Sequence, residues 1–181
     1  MAEQTSANYE QHIRAIEDFP EKGIRFYGIA PLLGSGAVFK SLIEDMSSPL
    51  RGKVDKIVGL DARGFIFGSA MASELGVGFV MLRKPHKLPG DTYAVSYDLE
   101  YGSNELEIQS DMLHAGESVA LVDDVIATGG TAVAGIELVQ KTGADIVEFC
   151  SLLDLPHLGG SDKISAHGVA VRAIISIEGN A

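Results

Sequence analysis

Val119-Ala120-Leu121-Val122-Asp123-Asp124-Val125-Ile126-Ala127-Thr128-Gly129-Gly130-Thr131 is the stretch around which the chain is organised. A short, Val-rich apolar run reaches two adjacent carboxylates, and a loop of small residues follows. Such a run reads as a buried parallel strand. Beyond it, Val133, Ile136 and Val139 recur on one helical face, and Gly143 supplies a stop. A strand, a loop and a helix in that order put the carboxylates and the loop at the carboxyl end of a strand. Open α/β sheets bind their ligands there.

The loop's residues define its chemistry. Gly129 and Gly130 allow close backbone approach and unusual φ values. Thr128 and Thr131 add hydroxyl donors, and a helix starting near Thr131 turns unpaired N–H groups and its positive dipole end toward the loop. That combination is a phosphate cradle. No Gly-Lys-Ser/Thr follows, so it is not the ATP-type loop, and the dinucleotide Gly-x-Gly-x-x-Gly pattern is missing. Asp123 and Asp124 would repel a phosphate set beside them; they suit sugar hydroxyls, or a Mg²⁺ ion one step away. The plain alternative is a strand-to-helix turn with an Asp cap. The full pattern favours a sugar-phosphate site.

Bulk properties limit the remaining possibilities. The chain has 181 residues, enough for one α/β domain with a sizeable core. Its formal net charge of −11 argues against a nucleic-acid or anionic-membrane partner. It leaves room for a small anion if positive charge is gathered locally. No apolar run is long enough to span a bilayer, and Met1-Ala2-Glu3-Gln4 lacks the basic start of a secretory signal. Cys150 is the only cysteine, which suits a reducing cytoplasm and reads as a buried thiol in a strand. Histidines 12, 86, 114, 157 and 167 have no zinc-ligand spacing.

Outward from the central stretch, Ser6 can cap a first helix with Tyr9, Ile13 and Ile16 on one face. Residues 19–29 read as an irregular extended piece whose Phe26 and Tyr27 either cover a flat ring or pack a core edge. A helix from Ser35 carries Val38, Phe39, Leu42, Ile43 and Met46, and residues 47–52 read as a polar connection. Lys56 to Leu60 is a central strand. It enters Asp61-Ala62-Arg63-Gly64-Phe65 and then a helix with Phe67, Ala70, Met71 and Leu75, closed at Gly76. Arg63 beside Gly64 offers a cation and free amides that suit a pyrophosphate; an Arg paired to a surface acid is an equal alternative. Gly78 to Leu82 is a third strand, and it leads into Arg83-Lys84-Pro85-His86-Lys87-Leu88-Pro89-Gly90, the densest basic cluster in the chain. Its prolines and glycine prevent regular structure. Its place at the same sheet end favours charge focusing over a solvated loop. Thr92 to Tyr101 alternates strictly, Gly102-Ser103-Asn104 reads as a turn, and Glu105 to Ile108 returns, which makes residues 84–110 a hairpin flap on a mobile base. Residues 146–153 and 169–177 are further strands, with a polar, irregular stretch at 154–167.

The central stretch resembles the phosphoribosyl-pyrophosphate signature of type I phosphoribosyltransferases. The likeness runs from about Phe19 to about Leu153. Leu60 to Phe65, Arg83-Lys84, Lys87-Leu88-Pro89-Gly90 and Tyr97-Asp98-Leu99-Glu100-Tyr101-Gly102 are similar to the adenine-using branch in particular. The resemblance implies an α/β fold with a central, mostly parallel sheet flanked by helices, a hood at about 19–33 and a flexible β-hairpin flap at about 84–110, all one domain spanning 1–181. It also implies transfer of a phosphoribosyl group from phosphoribosyl pyrophosphate to adenine, giving AMP and pyrophosphate, in a cytoplasmic homodimer that uses Mg²⁺. Residue by residue, Ala127, Thr128, Gly129, Gly130 and Thr131 would hold the 5′-phosphate, and Asp123 and Asp124 the ribose hydroxyls, with any contact to the metal indirect. Ala62 and Arg63 would meet pyrophosphate, with a cis peptide often found before the Arg, and Arg83, Lys84 and Lys87 would neutralise it. Glu100 would be the acid/base, and Ile24, Phe26 and Arg63 would border adenine. Relatives commonly read Phe-Arg-Asp-Ile in the hood, where this chain has Phe26-Tyr27-Gly28-Ile29. Two alternatives therefore accompany the adenine reading: an enzyme for hypoxanthine, guanine or xanthine, and a regulatory ligand sensor on the same fold. Acidity, Glu100 and the basic loop all count against the sensor.

Overall fold

A computed structural model of the chain describes residues 8–98 and 103–179. These fall into two compact units, one ending at Asp45 and one starting at Met46.

In the first unit, Tyr9–His12 make a single 3-10 turn. Strands β1 (Arg14–Ile16) and β2 (Phe26–Gly28) then pair antiparallel, with Ala15 opposite Tyr27. This replaces the helix expected from Ser6, which itself lies outside the described residues. The window is too short for helical periodicity to outweigh strand pairing, and Ile16 is a β-branched residue that suits a strand. Tyr9 is buried, and its hydroxyl bonds Ser41 and Asp45. Short helix α1 (Ala30–Leu33) precedes α2 (Gly36–Ser47), whose Leu42, Ile43 and Met46 are buried as the 3.6-residue pattern requires. Residues 47–52, expected to be a polar connection, contain a 3-10 turn at Ser48–Leu50 with Leu50 and Ser47 both buried.

The second unit is built on a five-stranded, all-parallel sheet. In chain order its elements are β3 (Lys56–Leu60), α3 (Gly64–Leu75), β4 (Gly78–Leu82), the hairpin β5 (Thr92–Asp98) and β6 (Ser103–Gln109), β7 (Ser118–Ile126), α4 (Gly130–Thr142), β8 (Asp145–Asp154), α5 (Gly160–Ala166) and β9 (Val171–Ser176). The sheet order is β4-β3-β7-β8-β9. β7 is central, and Val119 to Val122 are wholly buried. Val119, Leu121 and Val122 each contribute about 1.5–3 kcal/mol by leaving water. Helix α3 packs on β3, β4 and β7, whereas α4 packs on the hairpin and β8. Gly76 and Gly143 end the two helices in left-handed conformations, as their positions in the sequence predict.

Four sequence expectations are corrected in this unit. β7 does not end at the carboxylates but carries them, and it stays paired to β8 as far as Ile126 opposite Asp154. Ser103 and Asn104 belong to β6, opposite Asp98 and Tyr97, so they are not turn residues. The hairpin stem is anchored, since Val95, Leu106 and Ile108 are buried in the main core and Lys141 Nζ bonds Ala94 O at 2.8 Å. Residues 154–167 are not irregular: Pro156–Leu158 make a 3-10 turn, and α5 buries Ile164. One apolar anchor in a seven-residue helix is too little for a periodic signal.

Candidate active site

The loop after β7 is shaped by two glycines. Gly129 has φ +81 and caps α4 with no side-chain hydrogen bond, which leaves the first amides of α4 open for a ligand. Thr131 Oγ1 donates to Tyr97 Oη of the hairpin at 3.3 Å. Together with Ala62, Arg63, Asp123 and Asp124, residues Ala127 to Thr131 line a solvent-open cleft of about 230 Å³. Every residue that the sequence assigned to the phosphate, the ribose and the Ala62–Arg63 contact therefore meets in one place. Asp61, Val125, Ile126 and Ala132 line it too and were not singled out. Asp61 had a visible signal, as the first residue after β3.

The carboxylates are held under tension. Asp124 N–H donates to Asp123 Oδ1 at 2.8 Å. Asp124 is only 3 % exposed. Its Oδ2 lies 3.0 Å from Arg63 Nη1 but has no aligned hydrogen bond. Burial, then the neighbouring charge of Asp124, pushes the Asp123 carboxyl well above the ordinary carboxylate range. Burial also raises Asp124, and the Arg63 guanidinium offsets part of that rise. Two such acids are poised to gain from hydroxyl donors or positive charge brought by a ligand.

Arg63 is the N-cap of α3. Its placement depends on Gly64, because a Cβ there would lie 2.5 Å from Val122 O. A larger residue would therefore push α3 off β7. Among the described residues the non-proline cis peptide is Asp61–Ala62, in the loop before Arg63. Arg83 Nε lies 3.2 Å from Asp61 Oδ2, its Nη1 donates to Lys87 O, and its guanidinium sits over the Phe65 ring. Its N–H and C=O are tied to Glu107 of β6. Arg83 thus joins the edge of the site through Asp61, while Lys84 and Lys87 are exposed on the loop beyond. Ile24 is exposed and Phe26 stacks edge-on with Phe19, both within the first unit. Glu100 lies outside the described residues. Cys150 is fully buried, and burial lifts its thiol to about 12, which makes it inert.

Charge along the lining of the cleft does not balance for an anion. Asp61, Asp123 and Asp124 supply three carboxylates against the one guanidinium of Arg63, with Arg83 and Lys163 set beside it. No group of three or more His, Cys, Asp or Glu side chains among the described residues is arranged to hold a metal ion. Two carboxylates facing a cleft nevertheless suit a divalent cation that arrives with oxygen ligands of its own.

The chain belongs to the phosphoribosyl transferase family: the model of the phosphoribosyl transferase domain matches residues 32–177. Within that family it is similar to adenine phosphoribosyltransferases at about half identity. It is 50 % identical to the adenine phosphoribosyltransferase of Beijerinckia indica over 169 residues, which is 93 % of this chain and 94 % of the relative. The crystal structure of adenine phosphoribosyltransferase from Thermoanaerobacter pseudethanolicus superposes with a TM-score of 0.90 at 41 % identity, covering 96 % of this chain and 100 % of that one. The Saccharomyces cerevisiae enzyme, solved with an imino-altritol bisphosphate and adenine, gives a TM-score of 0.88 at 36 % identity, covering 94 % and 98 %.

Proposed function

We propose that the chain transfers the 5-phosphoribosyl group of phosphoribosyl pyrophosphate to adenine, forming AMP and releasing pyrophosphate. The observation that carries this is the cleft in which a glycine-rich helix N-terminus, two adjacent carboxylates, of which Asp124 is buried, and Arg63 converge. The likeness to adenine phosphoribosyltransferases, over most of the chain, supplies the base.

In this reading the amides and hydroxyls of Ala127 to Thr131 receive the 5′-phosphate, and Asp123 and Asp124 accept hydrogen bonds from the ribose hydroxyls. Arg63, the Ala62 backbone, Arg83, Lys84 and Lys87 stabilise pyrophosphate as the C1′–O bond breaks and the electron pair leaves on its oxygen. Positive charge develops near C1′, and the purine nitrogen bonds to the opposite face while its proton passes to a base, the role given to Glu100. Ile24, Phe26 and Arg63 would border the adenine. Asp123 and Asp124 would hold Mg²⁺ indirectly, through the substrate, and the ion would supply positive charge that the lining of the cleft lacks. Fixing both substrates at one sheet edge contributes at most about 7–11 kcal/mol to the acceleration. A cytoplasmic homodimer completes the proposal; among the described residues no helix is long and apolar enough to cross a membrane.

The test is a base-competition assay with Mg²⁺ and phosphoribosyl pyrophosphate. Adenine should be consumed, and guanine and hypoxanthine left. Equal use of a 6-oxopurine would favour the second reading, a phosphoribosyltransferase for another purine, which rests on Tyr27 and Gly28 in the hood. Glu100→Ala should lower turnover without unfolding the chain; an unchanged rate would remove its role.

A further inference from the structure

Helix α5 lies against the back of the phosphate loop, and the contact leaves no spare room. A Cβ on Gly160 would overlap Ala127 O and come within 2.8 Å of Ile126 Cγ2 and 2.9 Å of Gly129 N. In the other direction, a Cβ on Gly129 would come within 2.9 Å of Gly160 Cα and 3.0 Å of Gly160 O. All but the Ile126 contact are approaches to backbone, and backbone cannot rotate away as a side chain can. Three residues along, Lys163 Nζ donates to Thr128 O at 2.8 Å. The peptide joining Thr128 to Gly129 is planar, so its C=O and N–H point in opposite directions. Drawing the carbonyl toward Lys163 fixes the direction of the Gly129 N–H, within the loop that lines the cleft.

We infer that Gly160 and Lys163 are positioning residues for phosphoribosyl binding: α5 sets the shape of the Ala127–Thr131 loop from behind without touching the substrate. This rests on the loop being the 5′-phosphate site. A cradle of amides binds an anion in proportion to how well its N–H groups are aimed before the anion arrives. An exposed lysine on a backbone carbonyl adds little to folding. Its effect on the loop should appear in binding and not in melting.

The experiment measures binding of ribose 5-phosphate and the KM for phosphoribosyl pyrophosphate in wild type, Lys163→Met, Lys163→Arg and Gly160→Ala. Lys163→Met removes the donor and keeps the length of the side chain. It should weaken ribose 5-phosphate binding and raise that KM roughly fivefold, the effect of one hydrogen bond. The KM for adenine and the melting temperature should stay where they are. Lys163→Arg should restore most of the loss. Gly160→Ala should weaken binding more, roughly tenfold or beyond, because the loop must move as a body. If Gly160→Ala fails to fold, the lysine pair decides alone. Wild-type binding in Lys163→Met, or a loss spread equally over both substrates and the melting temperature, overturns the inference. A wild-type protein that bound no phosphoribosyl compound would instead sink the functional reading, and this inference with it.

Discussion

The two ends of the central sheet carry acidic clusters of opposite character. At the amino end, Glu117 Oε2 receives Lys56 Nζ at 2.8 Å and the His114 N–H at 2.9 Å, and the same Lys56 donates to Met112 O. The Asp55 side chain accepts the Ser118 N–H. The Lys56 bond, then that of His114, holds the Glu117 carboxyl below its ordinary value. At the carboxyl end, Asp123 and Asp124 are both held above theirs, chiefly by burial. One cluster favours its charged form once the chain has folded, and the other is charged at a cost. A charge buried at a cost persists where a ligand later compensates it. Function therefore sits at the end whose electrostatics are worse in the free protein.

Neutralising the costly end should have the largest effect, and with opposite signs for activity and stability. Asp123→Asn keeps the Oδ1 acceptor for Asp124 N–H and removes the charge. Losing charge-assisted hydrogen bonds of about 1.5–3 kcal/mol to the ribose should lower kcat/KM on the order of 10²-fold. The free protein should nonetheless melt higher. Asp124→Asn should lose similar activity and gain less stability, because it leaves Arg63 without its carboxylate. A variant that lost both activity and stability would break the contrast.

Acidity sharpens it. A carboxyl with a raised folded value binds its proton more tightly when folded. Its contribution therefore falls as pH rises from the unfolded to the folded value, and is regained on acidification. For Asp123 and Asp124 that window lies above the ordinary carboxylate range, so the stability gap between Asp123→Asn and wild type should narrow as pH falls from neutrality. Glu117 behaves in the opposite way, because its contribution is present above the ordinary value and is lost as pH falls through its lowered one. Melting curves of wild type, Asp123→Asn and Glu117→Gln across pH read both signs, and a gap between wild type and Asp123→Asn that widened on acidification would contradict the assignment.

The carboxyl-end half of this contrast was legible in the sequence, and the amino-end half, a Lys56–Glu117 pair made across segments distant in sequence, was not. The run from Val119 to Thr131 showed the strand, the paired acids and the loop, because a buried parallel strand and a glycine-rich turn both leave strong local patterns. It did not show that β7 continues past the acids to Ile126, since strand length there is set by pairing with β8. Arg63 was equally readable as a pyrophosphate ligand or as the partner of an acid. The fold makes it the ion-pair partner of Asp124 in the cleft, a choice that depends on where α3 starts. Gly160 and Lys163 were invisible because their meaning lies in a backbone approach between segments distant in sequence.

Between the extremes is the link from hairpin to loop. Tyr97→Phe removes the oxygen that accepts the Thr131 hydroxyl hydrogen bond and leaves the ring packed against the core. At 3.3 Å this is a long bond, so the KM for phosphoribosyl pyrophosphate should rise only a few-fold. No change would mean that the hairpin stem and the loop act independently.

The smallest effect belongs to the amino end. Glu117→Gln keeps a side-chain oxygen for the His114 N–H and removes the charge facing Lys56, a pair only partly exposed at 24 % and 22 %. The loss should be about 0.5–1 kcal/mol in a denaturant titration, the mirror image of the gain in Asp123→Asn. KM for either substrate should not move, because β7 separates Ser118 from the acids by a wholly buried run from Val119 to Val122. The two variants are charge-equivalent, so a difference in sign between them cannot come from net charge; it must come from whether the fold supplied the carboxylate with a partner. If both destabilised the chain equally, burial at Asp123 would have to be compensated by something other than Arg63 and the Asp124 N–H, and the carboxyl end would lose its claim to be held ready for a ligand.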